Sequence, residues 1–180
     1  AGCFRPFDRE NARLKKFRVD TCGDVIFVSL AESGPTLREH LGAFYDVFDG
    51  LFKNNWRMIW HWDQTFDCNW KIPVENTLET YHLPSVHPKT LQGIYQTEHS
   101  QTHELDERYT TLRYDLSEDQ PKVAKLQKRV VKRLGGKVTN IYTHHHVHPN
   151  IVFTLSDLLV HAQVYLPVSP TTCRTLIWYF

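Results

Sequence analysis

Apolar residues recur along this chain in two distinct periods. Val25-Ile26-Phe27-Val28-Ser29-Leu30 is a short apolar run that predicts a buried strand. Thr36 and Glu39 stand at capping-box spacing. Leu37, Leu41, Phe44 and Phe48 then follow at helical steps, predicting one helix closed by Gly50. Trp56 to Trp62 alternates, which predicts a strand with Trp56, Met58, Trp60 and Trp62 on one face. Residues 73–82 predict a short helix opened by Pro73, whose missing N–H costs little in a first turn. Tyr109 to Tyr114 reads as a strand. Pro121 to Leu134 has a helical pattern, with Val123, Leu126, Val130 and Leu134 on one side and Gly135-Gly136 at its end. Strands are predicted over residues 138–148, 150–156, 160–168 and 173–180. The sum is an α+β fold, an antiparallel sheet with helices gathered on one face.

Composition narrows the function. A chain of 180 residues with 41% hydrophobic content is long enough for one sizeable core. A net charge of +1 supplies no global field for nucleic acid or anionic membranes, so neither is expected as a partner. No apolar run approaches the roughly 18 residues of a membrane span, and no signal peptide opens the chain. The basic face of the 121–134 helix, with Lys122, Lys125, Lys128, Arg129, Lys132 and Arg133, reads as a solvated surface. Cys3, Cys22, Cys68 and Cys173 are scattered, as expected for reduced thiols of a cytoplasmic protein. Met58 is the only methionine, and the strand-like segment ending at Phe180 stops mid-pattern, so an excised or partial gene product is expected. Against this plain background, 11 histidines and 13% aromatic residues suit an aromatic-lined pocket with metal or proton chemistry.

The chemistry concentrates in Asn69-Trp70-Lys71-Ile72-Pro73-Val74-Glu75-Asn76-Thr77-Leu78-Glu79-Thr80-Tyr81-His82-Leu83-Pro84-Ser85-Val86-His87-Pro88. On one continuous helix at about 100° per residue, Glu75, Glu79 and His82 fall within about 60° of one another. Two carboxylates and an imidazole on one face are costly to bury unless they bond to each other or to a cation. His82 and His87 would diverge by about 140° on such a helix. Pro84 stops the helix after His82, and the following loop can swing His87 back. Two imidazoles and a carboxylate from elsewhere would make the facial set that leaves open positions on non-haem Fe(II). Asp157 is the nearest carboxylate in the chain for that third place, although a turn role is the commoner one for Asp between strands. A second cluster, His144-His145-His146-Val147-His148, puts three imidazoles on one strand face and His145 on the other. Same-face neighbours there are about 7 Å apart and chelate poorly, so the cluster reads as a polar wall of a cavity or a solvent-facing strand.

The string N-W-K-x-x-x-E-N-x-x-E-x-Y-H-x-x-x-x-H-P closely resembles the iron-binding segment of the large (α) subunit of Rieske-type ring-hydroxylating oxygenases. Cys22-Gly23-Asp24-Val25-Ile26-Phe27-Val28, Leu37-Arg38-Glu39-His40-Leu41-Gly42, His148-Pro149-Asn150 and Pro167-Val168-Ser169-Pro170 extend the resemblance along the chain. It implies a helix-grip, START-like catalytic domain over residues 35–180, with residues 1–34 as the tail of a Rieske domain and its linker. It implies His82 and His87 as ligands of a mononuclear Fe(II). Glu79 takes the place of the acidic residue between that iron and a neighbouring cluster, and Glu75 and Asn76 stand as supporting groups. The [2Fe–2S] signature, C-x-H then C-x-x-H, is absent, so the cluster ligands would lie upstream of residue 1, and the third iron ligand beyond Phe180. Implied partners are a ferredoxin or flavin reductase, O2, a small organic substrate, and further subunits in a homotrimer or α3β3 assembly. The implied reaction is hydroxylation of an aromatic ring or related substrate, with monooxygenation of a quaternary amine as the alternative. A ligand carrier without iron and a zinc hydrolase are the rival classes.

Overall fold

The computed structural model describes residue 12 and residues 14–51, 56–89, 102–115 and 121–180, in two compact units divided after residue 55. In the first unit, β1 (Arg18–Cys22) and β2 (Val25–Ser29) form an antiparallel hairpin. Gly23, at φ +57°, supplies the positive φ that a two-residue turn needs at its first position. Asp49 accepts from the Gly23 N–H at 3.0 Å. The expected buried strand is therefore half of a two-stranded ribbon, and Ile26 and Val28 are exposed. Thr36 and Glu39 make the capping box and open α1 (Leu37–Leu41). The single helix expected up to Gly50 is broken at Gly42, whose φ of +53° ends α1, and the chain resumes as α2 (Phe44–Leu51) with Gly50 inside it. Leu41, Phe44 and Phe48 are buried as the periodicity requires.

The second unit is a seven-stranded antiparallel sheet with helices, the expected α+β class. Its elements are β3 (Trp60–Phe66), α3 (Lys71–Thr77), α4 (Leu83–Val86), β4 (Thr102–Leu105), β5 (Tyr109–Asp115), α5 (Pro121–Arg133), β6 (Ile141–Val147), β7 (Ile151–Leu155), β8 (Val160–Ser169) and β9 (Thr172–Tyr179). The strand order is β3-β9-β8-β7-β6-β5-β4, every pair antiparallel. The tryptophan strand starts at Trp60, later than expected, because pairing with β9 ends at Tyr179. α5 turns inward the face carrying Gln127 and Val131, while Leu126 and Leu134 stay exposed. A buried glutamine wins because Gln127 donates to Asp157 at 2.6 Å. Cys3 and the side chains of Lys122 and Val123 lie outside the described residues.

Register decides which side chains share a face. His144 pairs with Thr154 and His146 with Val152, and Val152 pairs in turn with Gln163. Val152 and Tyr165 bury against Val74 of α3, with Trp70 and Leu78 packed alongside. That face also carries His161, stacked on Tyr179 with ring centroids 5.2 Å apart. Burial holds His144 down to about 3, helped by the nearby His161 and His145. Burial alone takes His145 and His161 to about 4.

These depressed values make stability pH-dependent. In the unfolded chain each imidazole titrates near 6.5, so acid protonates the unfolded state first. Stability from the neutral histidines is complete above that value and is lost as pH falls toward 4. With one pKa unit worth about 1.4 kcal/mol, the three groups together cost several kcal/mol over that window. Urea midpoints measured between about pH 7 and pH 4 should fall steeply, and a flat profile would contradict neutral burial of these rings.

Candidate metal centre

Local sequence builds the site in two short turns. Asn69 starts α3 by accepting from the Lys71 N–H at 3.0 Å, while its amide donates to the Pro170 carbonyl at 2.9 Å. Val74 plugs the helix into the sheet. The helix then stops. Leu78 N–H bonds back to the Glu75 carbonyl at 3.0 Å, and the chain turns before Glu79. The continuous 73–82 helix expected from the pattern is thus two helices, α3 and α4, with residues 78–82 as the connection. Glu75 consequently does not share a helix face with Glu79 and His82. Tyr81 is exposed and Thr80 buried.

The turn brings the candidate residues together by another route. His82 Nδ1 bonds tightly to Glu79 Oε1, and the His82 backbone N–H donates to Glu79 Oε2 at 3.2 Å. Asn76 Nδ2 donates to Glu79 Oε1 at 3.2 Å and lies equally close to His82 Nδ1. A carboxylate accepting from Nδ1–H fixes the tautomer and leaves the Nε2 lone pair for a cation. The His82 and Glu79 side chains are only 16% and 19% exposed, so this pair is shielded from water. His87 does come back beside His82, but not through a loop: Pro84 lies in the first turn of α4 instead of ending a helix, and His82 and His87 cap the two ends of that short helix. The chain leaves helical geometry at His87, with φ −120° and ψ 43°, and the His82 and His87 rings stand 5.7 Å apart at 71° to each other.

Beside this turn α3 and the end of β6 flank an open cavity of about 300 Å³. Trp70, Val74 and Leu78 supply apolar walls, Glu75 a carboxylate, Lys71 an ammonium group, and His146 and His148 two imidazoles. His144 and His146 lie on one face of β6, while His148 stands just past the strand in the turn, its ring 4.5 Å from that of His146, and His146 and His148 line this cavity. His145 points to the other face and bonds to Thr111 at 3.2 Å. Asp157 is a turn residue. Its carboxylate accepts from Gln127, from the Thr139 and Asn140 N–H groups and from the Thr139 hydroxyl, at 2.6–3.0 Å.

Residues 52–180 match the family model for the ring-hydroxylating alpha subunit, catalytic domain. The chain belongs to this family. As a member of the ring-hydroxylating family it is 30% identical over 90 residues to the glycine betaine monooxygenase oxygenase subunit of Pseudomonas aeruginosa, covering 50% of this chain and 21% of that protein. It is 25% identical over 85 residues to the carnitine monooxygenase oxygenase subunit of Acinetobacter baumannii, covering 46% of this chain and 23% of that one. Among solved structures, the quaternary ammonium Rieske monooxygenase CntA in complex with L-carnitine superposes with a TM-score of 0.73 at 17% identity, covering 99% of this chain and 45% of that one. A naphthalene 1,2-dioxygenase variant bound to phenanthrene gives 0.64 at 16% identity, covering 89% of this chain and 43% of that one. The chain spans about a fifth of the curated relatives and less than half of these structures.

Family membership implies a mononuclear iron and a Rieske cluster. The donor set fits the first of these in part: two imidazoles within reach of one another, one with its tautomer set by a carboxylate. Among the described residues no group of three or more His, Cys, Asp or Glu side chains completes a metal site. No described helix is long and apolar enough to cross a membrane.

Proposed function

We propose that His82 and His87 hold a mononuclear Fe(II) in an oxygenase that hydroxylates a small organic substrate with O2 and electrons relayed from a [2Fe–2S] cluster. The bonded Asn76–Glu79–His82 turn, with the His87 ring beside it, carries the reading. When bound, such an iron supplies open positions for O2 chemistry. This chain's own contribution is positional. Glu79 holds the proton on Nδ1 of His82 and keeps Nε2 available, and Asn76 steadies the carboxylate. Glu79 also stands as the connection along which electrons from a neighbouring cluster reach the site. Residues 1–34 are the tail of the cluster domain and its linker in this reading, and residues 35–180 belong to the iron domain. A ferredoxin or flavin reductase supplies the electrons, and a trimeric assembly would set one subunit's cluster against another's iron.

Quaternary ammonium compounds are the favoured substrate class. The curated relatives are named for glycine betaine and carnitine. The cavity carries an aromatic face in Trp70 and a carboxylate in Glu75, two groups a quaternary cation binds, with the Lys71 charge opposing it, so the relatives carry this reading more than the lining does. The test is oxygen uptake by the complete gene product with a reductase, offering glycine betaine, carnitine or naphthalene. Uptake coupled to loss of a quaternary amine is the expected result. Coupling to naphthalene alone would overturn the substrate class, and binding without uptake in any condition would favour a ligand carrier.

A further inference from the structure

Thr77 closes α3 two residues before Glu79, and its hydroxyl lies 2.9 Å from the phenol oxygen of Tyr165 on β8. It also donates to the Pro73 carbonyl at 2.8 Å. Tyr165, only 2% exposed, donates in turn to Gln163 Oε1 at 2.5 Å. Gln163 Nε2 reaches Thr154 Oγ1 at 3.4 Å, Thr154 Oγ1 lies 2.8 Å from His144 Nδ1, and His144 Nε2 lies 3.2 Å from the Tyr114 hydroxyl. One hydrogen-bonded chain therefore runs from the end of α3 across β8, β7, β6 and β5.

The hydrogens along it can be placed from the partners. A side-chain carbonyl oxygen only accepts, so Tyr165 gives its single hydrogen to Gln163. The single Thr77 hydrogen is then shared between the Pro73 carbonyl and the Tyr165 oxygen in a three-centre bond. A neutral imidazole has one donor and one acceptor, which the hydroxyls of Thr154 and Tyr114 match on its two sides. In a dry interior such a satisfied network fixes geometry more firmly than its separate bonds would in water.

α3 needs that fixing. Seven residues are too few to hold a helix by themselves, so its position is set by tertiary contacts. Val74 contributes apolar contact, which is non-directional and tolerates rotation about the helix axis. The hydroxyl pair is directional, and it sits on the residue between Asn76 and the Leu78 turn.

We propose that Tyr165 is a positioning residue for the metal turn. Through Thr77 it locks the rotation of the end of α3, and with it the direction in which Asn76, Glu79 and His82 are presented. The inference rests on His82 being an iron ligand.

The test is anaerobic Fe(II) release to a chelator from the complete gene product, with the visible spectrum of the Co(II)-exchanged protein as a signature of ligand geometry. Tyr165→Phe should release iron roughly three- to tenfold faster, less than the 10–100-fold typical of a group bonded directly to a ligand, and should shift the cobalt bands. Thr77→Val should do the same, and Thr77→Ser, which keeps the hydroxyl, should behave as wild type. Val152→Ala, in the same core, should lower Tm without moving either readout. Wild-type release and cobalt bands in Tyr165→Phe and Thr77→Val, or an equal shift in Val152→Ala, would overturn the positioning role. Identical release from wild type and His82→Ala would overturn the iron assignment itself, and the positioning role with it.

Discussion

Replacing His82 or His87 with alanine in the complete gene product is expected to strip the mononuclear iron and leave iron–sulfur absorbance intact. The two rings stand 5.7 Å apart and no third group of the described residues joins them, so neither loss has a local substitute. Removing an outer-shell partner of a metal ligand typically costs 10–100-fold in affinity, and removing the ligand itself must cost more. Activity falls to background in both variants. Iron retained at wild-type stoichiometry in either one would remove that residue from the ligand set. A ligand carrier or a zinc hydrolase would separate here too, the first by binding its ligand unchanged and the second by preferring Zn(II).

Glu79→Gln makes the second large effect, and of a different kind. Glutamine keeps an oxygen that accepts from His82 Nδ1–H, so the tautomer and the iron persist. What it loses is the negative charge on the atom that both His82 and Asn76 contact. Iron content and reduction of the cluster should be normal, while transfer between the centres slows by about 10–100-fold. Single-turnover kinetics, followed as recovery of the oxidised cluster absorbance, read this directly. Unimpaired recovery would show that Glu79 only orients the ring and carries no electron route.

The strands of the sheet were legible where their alternation is strong. β5 through β9 are rich in β-branched and aromatic residues, and turns separate β6 to β9. β1 and β4 were not visible, since Arg18-Val19-Asp20-Thr21-Cys22 and Thr102-His103-Glu104-Leu105 show no clear period and owe their pairing to a neighbour. Helix boundaries failed for local reasons. Leu37 to Phe48 keeps helical spacing across Gly42, yet that glycine's positive φ breaks the backbone without disturbing which residues are buried. Residues 73–82 keep helical spacing too, and the turn after Thr77 is set by contacts with the sheet.

Long-range polar pairing is the common reason for what could not be read. Gln127 is buried because Asp157 waits thirty residues away, and Thr77 is anchored by Tyr165, 88 residues on. No periodicity encodes either. The metal turn was legible because its chemistry is local: Asn76, Glu79, His82 and His87 lie within twelve positions, and their residue types already limited what they could do together. The helix drawn through them was wrong, while the Glu79–His82 partnership is seen in the structure. The histidine cluster fell between these cases: the common face of His144 and His146 was readable from strand alternation, while the turn that carries His148 and the cavity lined by His146 and His148 are visible only in the structure.

X-ray absorption at the cobalt edge of the Co(II)-exchanged complete gene product tests the iron assignment most directly, because it ignores the iron of any cluster. Two imidazole nitrogens should appear in the wild-type coordination shell and one in each of His82→Ala and His87→Ala. An imidazole count unchanged by both substitutions would contradict the two-histidine centre.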